Sequence, residues 1–190
     1  MPPAATRAAL VFWLALVAAF PAATQTVDLF EPDVQSFEWS GSYLPEIWNK
    51  NLATDRLVGV TFTAGRSWAP GWQGLTEFAV GRAMLGGEPD ALSLGVTGGV
   101  RRRIARHGRA TFYLDALVGF ALANRHVPNR GTSFNWVAQG GGGWLWRLGT
   151  QTYAVTGFRV YHLSNGGMQG NHRNPDIEAI GGYAGLGFGF

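Results

Sequence analysis

Apolar residues alternate with small or polar ones over long stretches of this chain. From Val58 to Gly65 every even position is apolar, and every odd position is glycine or threonine. The same period of two recurs in 91–100 and in 111–122. A period of two predicts β-strands that each have one apolar face, and it argues against amphipathic helices in these stretches.

The alternation predicts eight strands. Several run about ten residues or longer, which is the length that a tilted strand needs to cross a bilayer. The predicted strands are 36–44, 57–66, 72–84, 91–102, 109–122, 132–147, 151–163 and 177–190. The longer connections between them are 45–56, 85–90, 123–131 and 164–176, and they alternate with the shorter ones, 67–71, 103–108 and 148–150. Long loops outside and short turns in the periplasm are typical of outer-membrane barrels.

We therefore predict an all-β fold, an eight-stranded antiparallel transmembrane outer-membrane β-barrel. The alternative is a soluble barrel of the lipocalin type, which would turn the apolar faces inward. The opposite faces are too rich in glycine, and too poor in charge, for a solvated exterior. The alternating stretch 183–190, which ends in Phe190, resembles the C-terminal strand of outer-membrane barrels. Tryptophans at strand ends would form the aromatic girdles; they are Trp39, Trp48, Trp68, Trp72, Trp136, Trp144 and Trp146.

The first residues carry the pattern of an export signal. One positive charge in 1–7 precedes the apolar stretch 8–20, which is too short to span a bilayer, and small residues follow. We predict a signal peptide over 1–23 and a single barrel domain over 24–190, integral to the outer membrane of a Gram-negative cell. The alternative for the first stretch is a short anchor helix.

Composition narrows the chemistry and the partners. The chain has no cysteine, which excludes disulfides and thiolate metal sites. The net charge of +3 could suggest nucleic acid. Export argues against that partner and favours an anionic membrane surface or lipid phosphates.

A polar pair interrupts the apolar face of the seventh predicted strand. His162 and Ser164 share the parity of Phe158 and Val160, so we expect both to point toward lipid. The odd face of the same strand carries Arg159, which we expect in the lumen. Packing alone does not explain a polar pair on an apolar face.

Two carboxylates hold the same parity at the start of the eighth strand, namely Glu178 and Asp176. Strands joined by one loop are normally antiparallel neighbours, so His162, Ser164 and Glu178 should converge at the outer rim. A polar group facing hydrocarbon is less costly near the interface than at the midplane. A serine hydroxyl, an imidazole and a carboxylate are together the components of an acyl-transfer triad.

These residues resemble those of a known enzyme family. The motif His-Leu-Ser-Asn-Gly-Gly at 162–167, with Ile-Glu at 177–178 downstream, looks like the lipid A 3-O-deacylase (PagL) family of outer-membrane enzymes. The stretch 133–149, which begins Ser-Phe-Asn-Trp, is similar to the sixth strand of that family. The resemblance is close over the C-terminal third of the chain and elsewhere concerns only the barrel pattern.

The resemblance implies hydrolysis of the ester-linked 3-hydroxyacyl chain at position 3 of lipid A, so that lipid A or lipopolysaccharide is the substrate. Ser164 would be the nucleophile, His162 the general base and then acid, and Glu178 the residue that fixes the imidazole tautomer. Asn165 and the backbone N–H of Gly167 would supply the oxyanion hole. No metal and no cofactor is implied.

One departure from the family pattern leaves an alternative open. The segment between Gly167 and Glu178 is longer than in the family, which makes Asp176 a rival for orienting His162. The order Ile177-Glu178 matches the family and favours Glu178.

Two other functions stay open. The chain could be a non-enzymatic structural or adhesive outer-membrane barrel, or an outer-membrane esterase or phospholipase acting on another lipid. The oligomeric state is open between a monomer and a homodimer. We also expect Glu77, Asp115 and Arg159 to form ion pairs in the lumen. The arginine-rich run 101–109 should form a short periplasmic turn that is either solvated or in contact with lipid headgroups.

Overall fold

The computed structural model describes residues 26–47, 55–86, 88–168, 170 and 174–190. The predicted signal peptide and Trp48 lie outside these residues. Eight strands pair in chain order, and β8 also pairs with β1, so the sheet closes into an antiparallel barrel as predicted. The strands are β1 (Gln35–Pro45), β2 (Arg56–Ala69), β3 (Trp72–Met84), β4 (Ala91–His107), β5 (Ala110–Val127), β6 (Thr132–Arg147), β7 (Thr152–Ser164) and β8 (Ile177–Gly189).

The connections differ in length at the two ends of the barrel. The long-loop end carries 46–55, 85–90, 128–131 and 165–176, and the short-turn end carries 70–71, 108–109 and 148–151. The alternation matches the prediction. Over the described part of the chain, no helix has the length and apolar character needed to cross a membrane.

The outer face of the barrel is apolar. Val58, Phe78, Val118 and Phe158 all have the predicted outward parity and are between 39% and 68% exposed. A soluble barrel would bury such side chains, so the lipocalin-type arrangement does not describe this protein. Tryptophans at strand ends also point outward, and those more than 40% exposed are Trp39, Trp68, Trp136, Trp144 and Trp146.

Buried ion pairs cross the lumen. Arg159 lies 3.0 Å from Glu77 and 3.9 Å from Asp115, which confirms the predicted internal pairing. Arg101 lies 2.5 Å from Glu38 and 3.5 Å from the same Asp115. All five residues are buried. Because each charge has a partner of opposite sign, the lumen can be closed to bulk water at this level.

The prediction that 101–109 forms a short turn is wrong. β4 continues to His107, and only 108–109 connect it to β5. A bulge between Arg103 and Ala105 shifts the register and lets the strand continue. Arg101 therefore lies in the lumen, while Arg102 is exposed with its guanidinium 4.5 Å above the ring of Trp72. β5 is also longer than predicted, since it reaches Val127 past an irregular stretch of pairing.

Apolar layers close the lumen on both sides of the ion pairs. At the short-turn end the segment before β1 folds under the barrel, and Leu29 and Phe30 are each 1% exposed. The hydroxyl of Ser67 donates to the carbonyl of Leu29 at 2.6 Å and holds this segment in place. The layer at the long-loop end includes Leu44, Ala83, Ala121, Val137, Leu163 and Ile177.

The ion pairs predict a large effect of one substitution on stability. Glu77→Gln should lower the free energy of unfolding by about 3–5 kcal/mol, because Arg159 stays buried without its carboxylate. Urea unfolding in detergent micelles, followed by tryptophan fluorescence, measures this. The matched control is Arg66→Gln, which breaks the pair with Asp33 whose side chains are 70% and 85% exposed. It should change stability by less than about 1 kcal/mol. Equal effects of the two variants would contradict a structural role for the buried network.

Candidate active site

The predicted polar cluster lies where β7 ends and β8 begins, at the long-loop end. His162 is paired directly with Glu178 across these strands, and Ser164 is the last residue of β7. On the other side, Ser164 is paired with Trp136 of β6, which is 48% exposed on the outer face. Paired residues project from the same face of a sheet. The three polar residues therefore share the outer face, as their parity predicted.

The side chains form a continuous hydrogen-bonded series. Nε2 of His162 lies 3.0 Å from Oγ of Ser164, and Nδ1 lies 2.6 Å from Oε1 of Glu178. Ser164 is 7% exposed, whereas the His162 and Glu178 side chains are 38% and 24% exposed. A carboxylate at Nδ1 keeps the proton on that nitrogen and directs the Nε2 lone pair at the hydroxyl. The arrangement can take a proton from Ser164 and later return it.

The chain turns sharply after Ser164. Gly166 and Gly167 have φ angles of 65° and 73°, a left-handed conformation that glycine adopts without strain. The N–H of Gly167 donates to Oδ1 of Asn165 at 2.9 Å, and Asn165 is 2% exposed. The turn thus ties the Asn165 side chain to the backbone of Gly167, directly after Ser164. The N–H of Gly167 is engaged by that amide, so it reaches an oxyanion only by exchanging this partner.

Asp176, the rival orienter, lies close to the series. One ligand atom from each of His162, Asp176 and Glu178 falls within 4.8 Å of the others, a spacing that could also hold a cation. The 2.6 Å contact at Nδ1 belongs to Glu178. The geometry therefore favours Glu178 for orienting the imidazole, in line with the order Ile177-Glu178.

The end of β1 supports the start of β8 and adds carboxylates beside it. The N–H of Ile47 donates to the backbone carbonyl of Glu178 at 2.9 Å. Burial raises the pKa of Glu46, the N–H of Asp55 partly offsets this, and the charges of Asp55 and Asp176 raise it further. Glu46 thus keeps its proton to higher pH than an exposed glutamate does.

Trp136 is a site neighbour that the sequence pattern assigned only to an aromatic girdle. Its indole N–H points to the sulfur of Met168 at 3.3 Å, and its ring packs edge to face against Phe134 at 5.4 Å. A Cβ at Gly166 would lie 3.2 Å from its Cδ1, so the ring lies against the turn that follows Ser164. Parity alone puts Trp136 and Ser164 on the same outer face. The register of β6 against β7, which parity does not give, pairs them directly.

Small residues follow Trp136 on the outward parity of β6, namely Ala138, Gly140 and Gly142. Ala138 and Gly140 are paired with His162 and Val160 of β7. A Cβ at Gly142 would lie 2.8 Å from Leu114 and 3.5 Å from Phe158, both apolar. From Trp136 to Gly142 the strand covers about 20 Å.

The sequence matches the family model described as "Lipid A 3-O-deacylase (PagL)" over residues 39–186, a span that contains the whole polar cluster. The chain belongs to this family. No curated protein sequence matches it.

Solved structures agree with the fold of this PagL-family protein. The outer membrane protein OprG from Pseudomonas aeruginosa superposes with a TM-score of 0.57 at 12% identity, over 84% of this chain and 97% of that chain. Ail, the attachment invasion locus protein of Yersinia pestis, gives 0.46 at 16% identity, over 84% and 99%. At such identities only the fold is comparable, and OprG shows an outer-membrane barrel. The family and the barrel fold make the protein integral to the outer membrane.

Proposed function

We propose that this barrel hydrolyses the ester-linked 3-hydroxyacyl chain at position 3 of lipid A. The observation that carries the proposal is the hydrogen-bonded series of Ser164, His162 and Glu178 on the lipid-facing surface at the outer rim. The ester bonds of a membrane lipid lie just below its headgroups, at the level of this rim. Lipid A would reach the site by lateral diffusion in the outer leaflet, without entering the barrel.

The reaction would proceed in two steps. Oγ of Ser164 attacks the ester carbonyl carbon while Nε2 of His162 takes the hydroxyl proton. The tetrahedral intermediate then expels the sugar oxygen at position 3, and the His162 imidazolium gives it that proton. The acyl chain stays on the enzyme as an ester of Ser164. Water, deprotonated by His162, attacks the acyl-serine, and Ser164 regains its proton as the 3-hydroxy acid departs. The Glu178 carboxylate, at Nδ1, stabilises the imidazolium in both steps.

The oxyanion donors would be Asn165 and Gly167. Each such donor contributes roughly 3–4 kcal/mol of transition-state stabilisation in acyl transfer. In the present structure the Gly167 N–H is bonded to the side-chain oxygen of Asn165, so it would join the oxyanion hole only after releasing that oxygen.

The series needs no metal or cofactor, which predicts resistance to chelation. A proton on Nδ1, bonded to Glu178, occupies the place that a cation would take between the imidazole and the carboxylates. Deacylation by purified protein should continue unchanged in EDTA. Loss of the rate in EDTA, with recovery on adding a divalent cation, would instead show that the cluster of His162, Asp176 and Glu178 works as a cation site.

The scissile acyl chain would lie along the small residues Ala138, Gly140 and Gly142 on the outer face of β6, with Trp136 as the wall nearest the ester. Trp136→Ala should lower kcat/KM for esters of long acyl chains by roughly 10- to 100-fold, the equivalent of losing one buried large apolar side chain. Acetyl esters, which do not reach the wall, should be nearly unaffected. A series of p-nitrophenyl esters of increasing chain length measures both effects.

The matched control for this prediction is Trp146→Ala. Trp146 is also on the outer face of β6 and is 47% exposed, but it lies at the opposite end of the strand. The Trp146→Ala variant should keep the wild-type preference for long acyl chains. The same loss in both variants would mean that tryptophan removal acts through membrane anchoring and not through the acyl chain.

Mass spectrometry of lipid A tests the proposed function. Lipid A would be extracted from cells that express the wild type or Ser164→Ala at equal levels. Loss of one 3-hydroxyacyl chain with the wild type alone is the expected result. Unchanged lipid A in both strains would contradict the proposal. Fatty acid release from phospholipids would then identify an esterase for another lipid, and unchanged lipids of every class would leave a structural or adhesive barrel.

A further inference from the structure

Arginines gather at the short-turn end, on the opposite side of the membrane from the proposed active site. Six arginines face only three acidic residues there among the described residues. The arginines are Arg66, Arg102, Arg103, Arg106, Arg109 and Arg147, and the acids are Asp28, Glu31 and Asp33. The periplasmic rim thus carries an excess of positive charge.

Three of the arginines line one small recess, which we call the arginine recess. Arg106, Arg109 and Arg147 form it together with Gly108 and Thr111, and Val27, Asp28 and Tyr153 complete its lining. The N–H of Arg147 donates to the carbonyl of Arg109 at 2.9 Å, so the backbone fixes the spacing of these two. The recess has a volume of about 10 Å³. It is too small to enclose a headgroup, which would therefore bind at its mouth.

The charge of the arginine recess is only partly compensated. Asp28 is its one carboxylate, and it is shared by Arg106 at 2.7 Å and Arg103 at 2.9 Å. Among the described residues no carboxylate forms an ion pair with Arg109 or Arg147. Two guanidinium groups are thus left to bind an external anion.

The depth of the recess matches that of lipid headgroups. Ala110, next to Arg109, is paired with Trp146, and Phe112 is paired with Trp144. Trp146, Trp144 and Phe112 form an aromatic cluster with ring centroids 6.0 and 4.9 Å apart. Such girdles lie at the membrane interface. Arg109 lies just beyond it in the turn, at the level of the phosphates of the periplasmic leaflet, and Arg147, which has the inward parity of β6, is held beside it by the backbone contact.

We propose that the arginine recess binds the phosphate of an anionic phospholipid of the periplasmic leaflet, with phosphatidylglycerol as the representative headgroup. The planar guanidinium presents paired N–H donors that match phosphate oxygens. A headgroup with its own ammonium would bring a positive charge toward Arg109, Arg147 and Arg103, whereas a glycerol headgroup brings none. The recess therefore prefers an anionic lipid to a zwitterionic one. This inference does not depend on the catalytic proposal.

Native mass spectrometry of the full-length protein in neutral detergent tests the preference. The protein would be titrated with dioleoylphosphatidylglycerol or dioleoylphosphatidylcholine in parallel. We expect tighter binding of phosphatidylglycerol to the wild type. The double variant Arg109→Gln, Arg147→Gln should weaken it by roughly tenfold or more and leave phosphatidylcholine unchanged. Arg109→Gln alone should weaken phosphatidylglycerol binding by roughly fivefold. Because Arg109 is at an exposed turn position, this single variant replaces the double variant if the latter does not fold.

The matched control is Arg56→Gln with Arg125→Gln, which removes two exposed arginines at the long-loop end. It should keep the preference of the wild type. Three results would overturn the proposal. They are equal binding of the two lipids by the wild type, equal loss in the control, and erasure of the preference by millimolar inorganic phosphate at constant ionic strength. The last result would assign the recess to free phosphate.

Discussion

Alanine at Ser164 or at His162 is expected to lower the rate of lipid A deacylation by roughly four orders of magnitude or more. In the proposed mechanism Ser164 supplies the attacking oxygen, and His162, whose Nε2 lies 3.0 Å away, takes its proton. Residues that act as a unit are not additive, so the double variant should be no slower than either single one. Release of 3-hydroxy acid from lipid A in mixed micelles, measured with purified protein, gives the rates.

A third variant separates loss of chemistry from loss of the barrel. His107→Ala removes an exposed histidine at the short-turn end and should keep the wild-type rate. All variants should show the same circular dichroism and the same unfolding midpoint in urea. Retention of more than a small fraction of activity by Ser164→Ala would rule out that residue as the nucleophile.

Glu178→Gln is expected to slow deacylation by about 10³- to 10⁴-fold, because a neutral amide neither holds the imidazole tautomer nor stabilises the imidazolium. Asp176→Asn is its matched control, since it removes the same charge two positions earlier in the chain. Its effect should be less than about tenfold, because the contact at Nδ1 belongs to Glu178. Both rates come from the same release assay, taken across pH.

The opposite ranking of these two variants would make Asp176 the orienter. Equal, small effects would mean that neither carboxylate acts through His162. The comparison therefore decides whether Glu178 or Asp176 orients His162.

Most of what could be predicted from the sequence follows from the alternation of residues along each strand, because it determines the face on which each side chain lies. A period of two determines which residues share a face, so His162 and Ser164 could be placed outside and Arg159 inside without a structure. The hairpin rule then made Glu178 a neighbour of His162, and the register pairs them directly. Local pattern was sufficient here because all three residues belong to one hairpin.

Contacts between distant segments could not be predicted in this way. Arg101 lies in a charge-rich run that is typical of a turn, yet it is buried against Glu38, 63 positions earlier in the chain. Trp136 has the composition and position of a girdle residue, and only its register against Ser164 places it at the site. For Arg101 the deciding partner lies on β1, and alternation within β4 carries no information about that distant strand. Trp136 and Ser164 belong to the hairpin β6–β7, where parity predicts the shared face but not the register that pairs them.

The most direct measurement of the central claim follows the oxygen atoms of the reaction. Purified protein would deacylate lipid A in water enriched in oxygen-18, with Ser164→Ala in parallel. If Ser164 attacks the acyl carbonyl and water then releases the acid, the heavy oxygen appears in the carboxyl group of the 3-hydroxy acid. It is absent from the sugar, and the variant releases no acid. Heavy oxygen at the sugar hydroxyl, or equal release by the variant, would contradict the account.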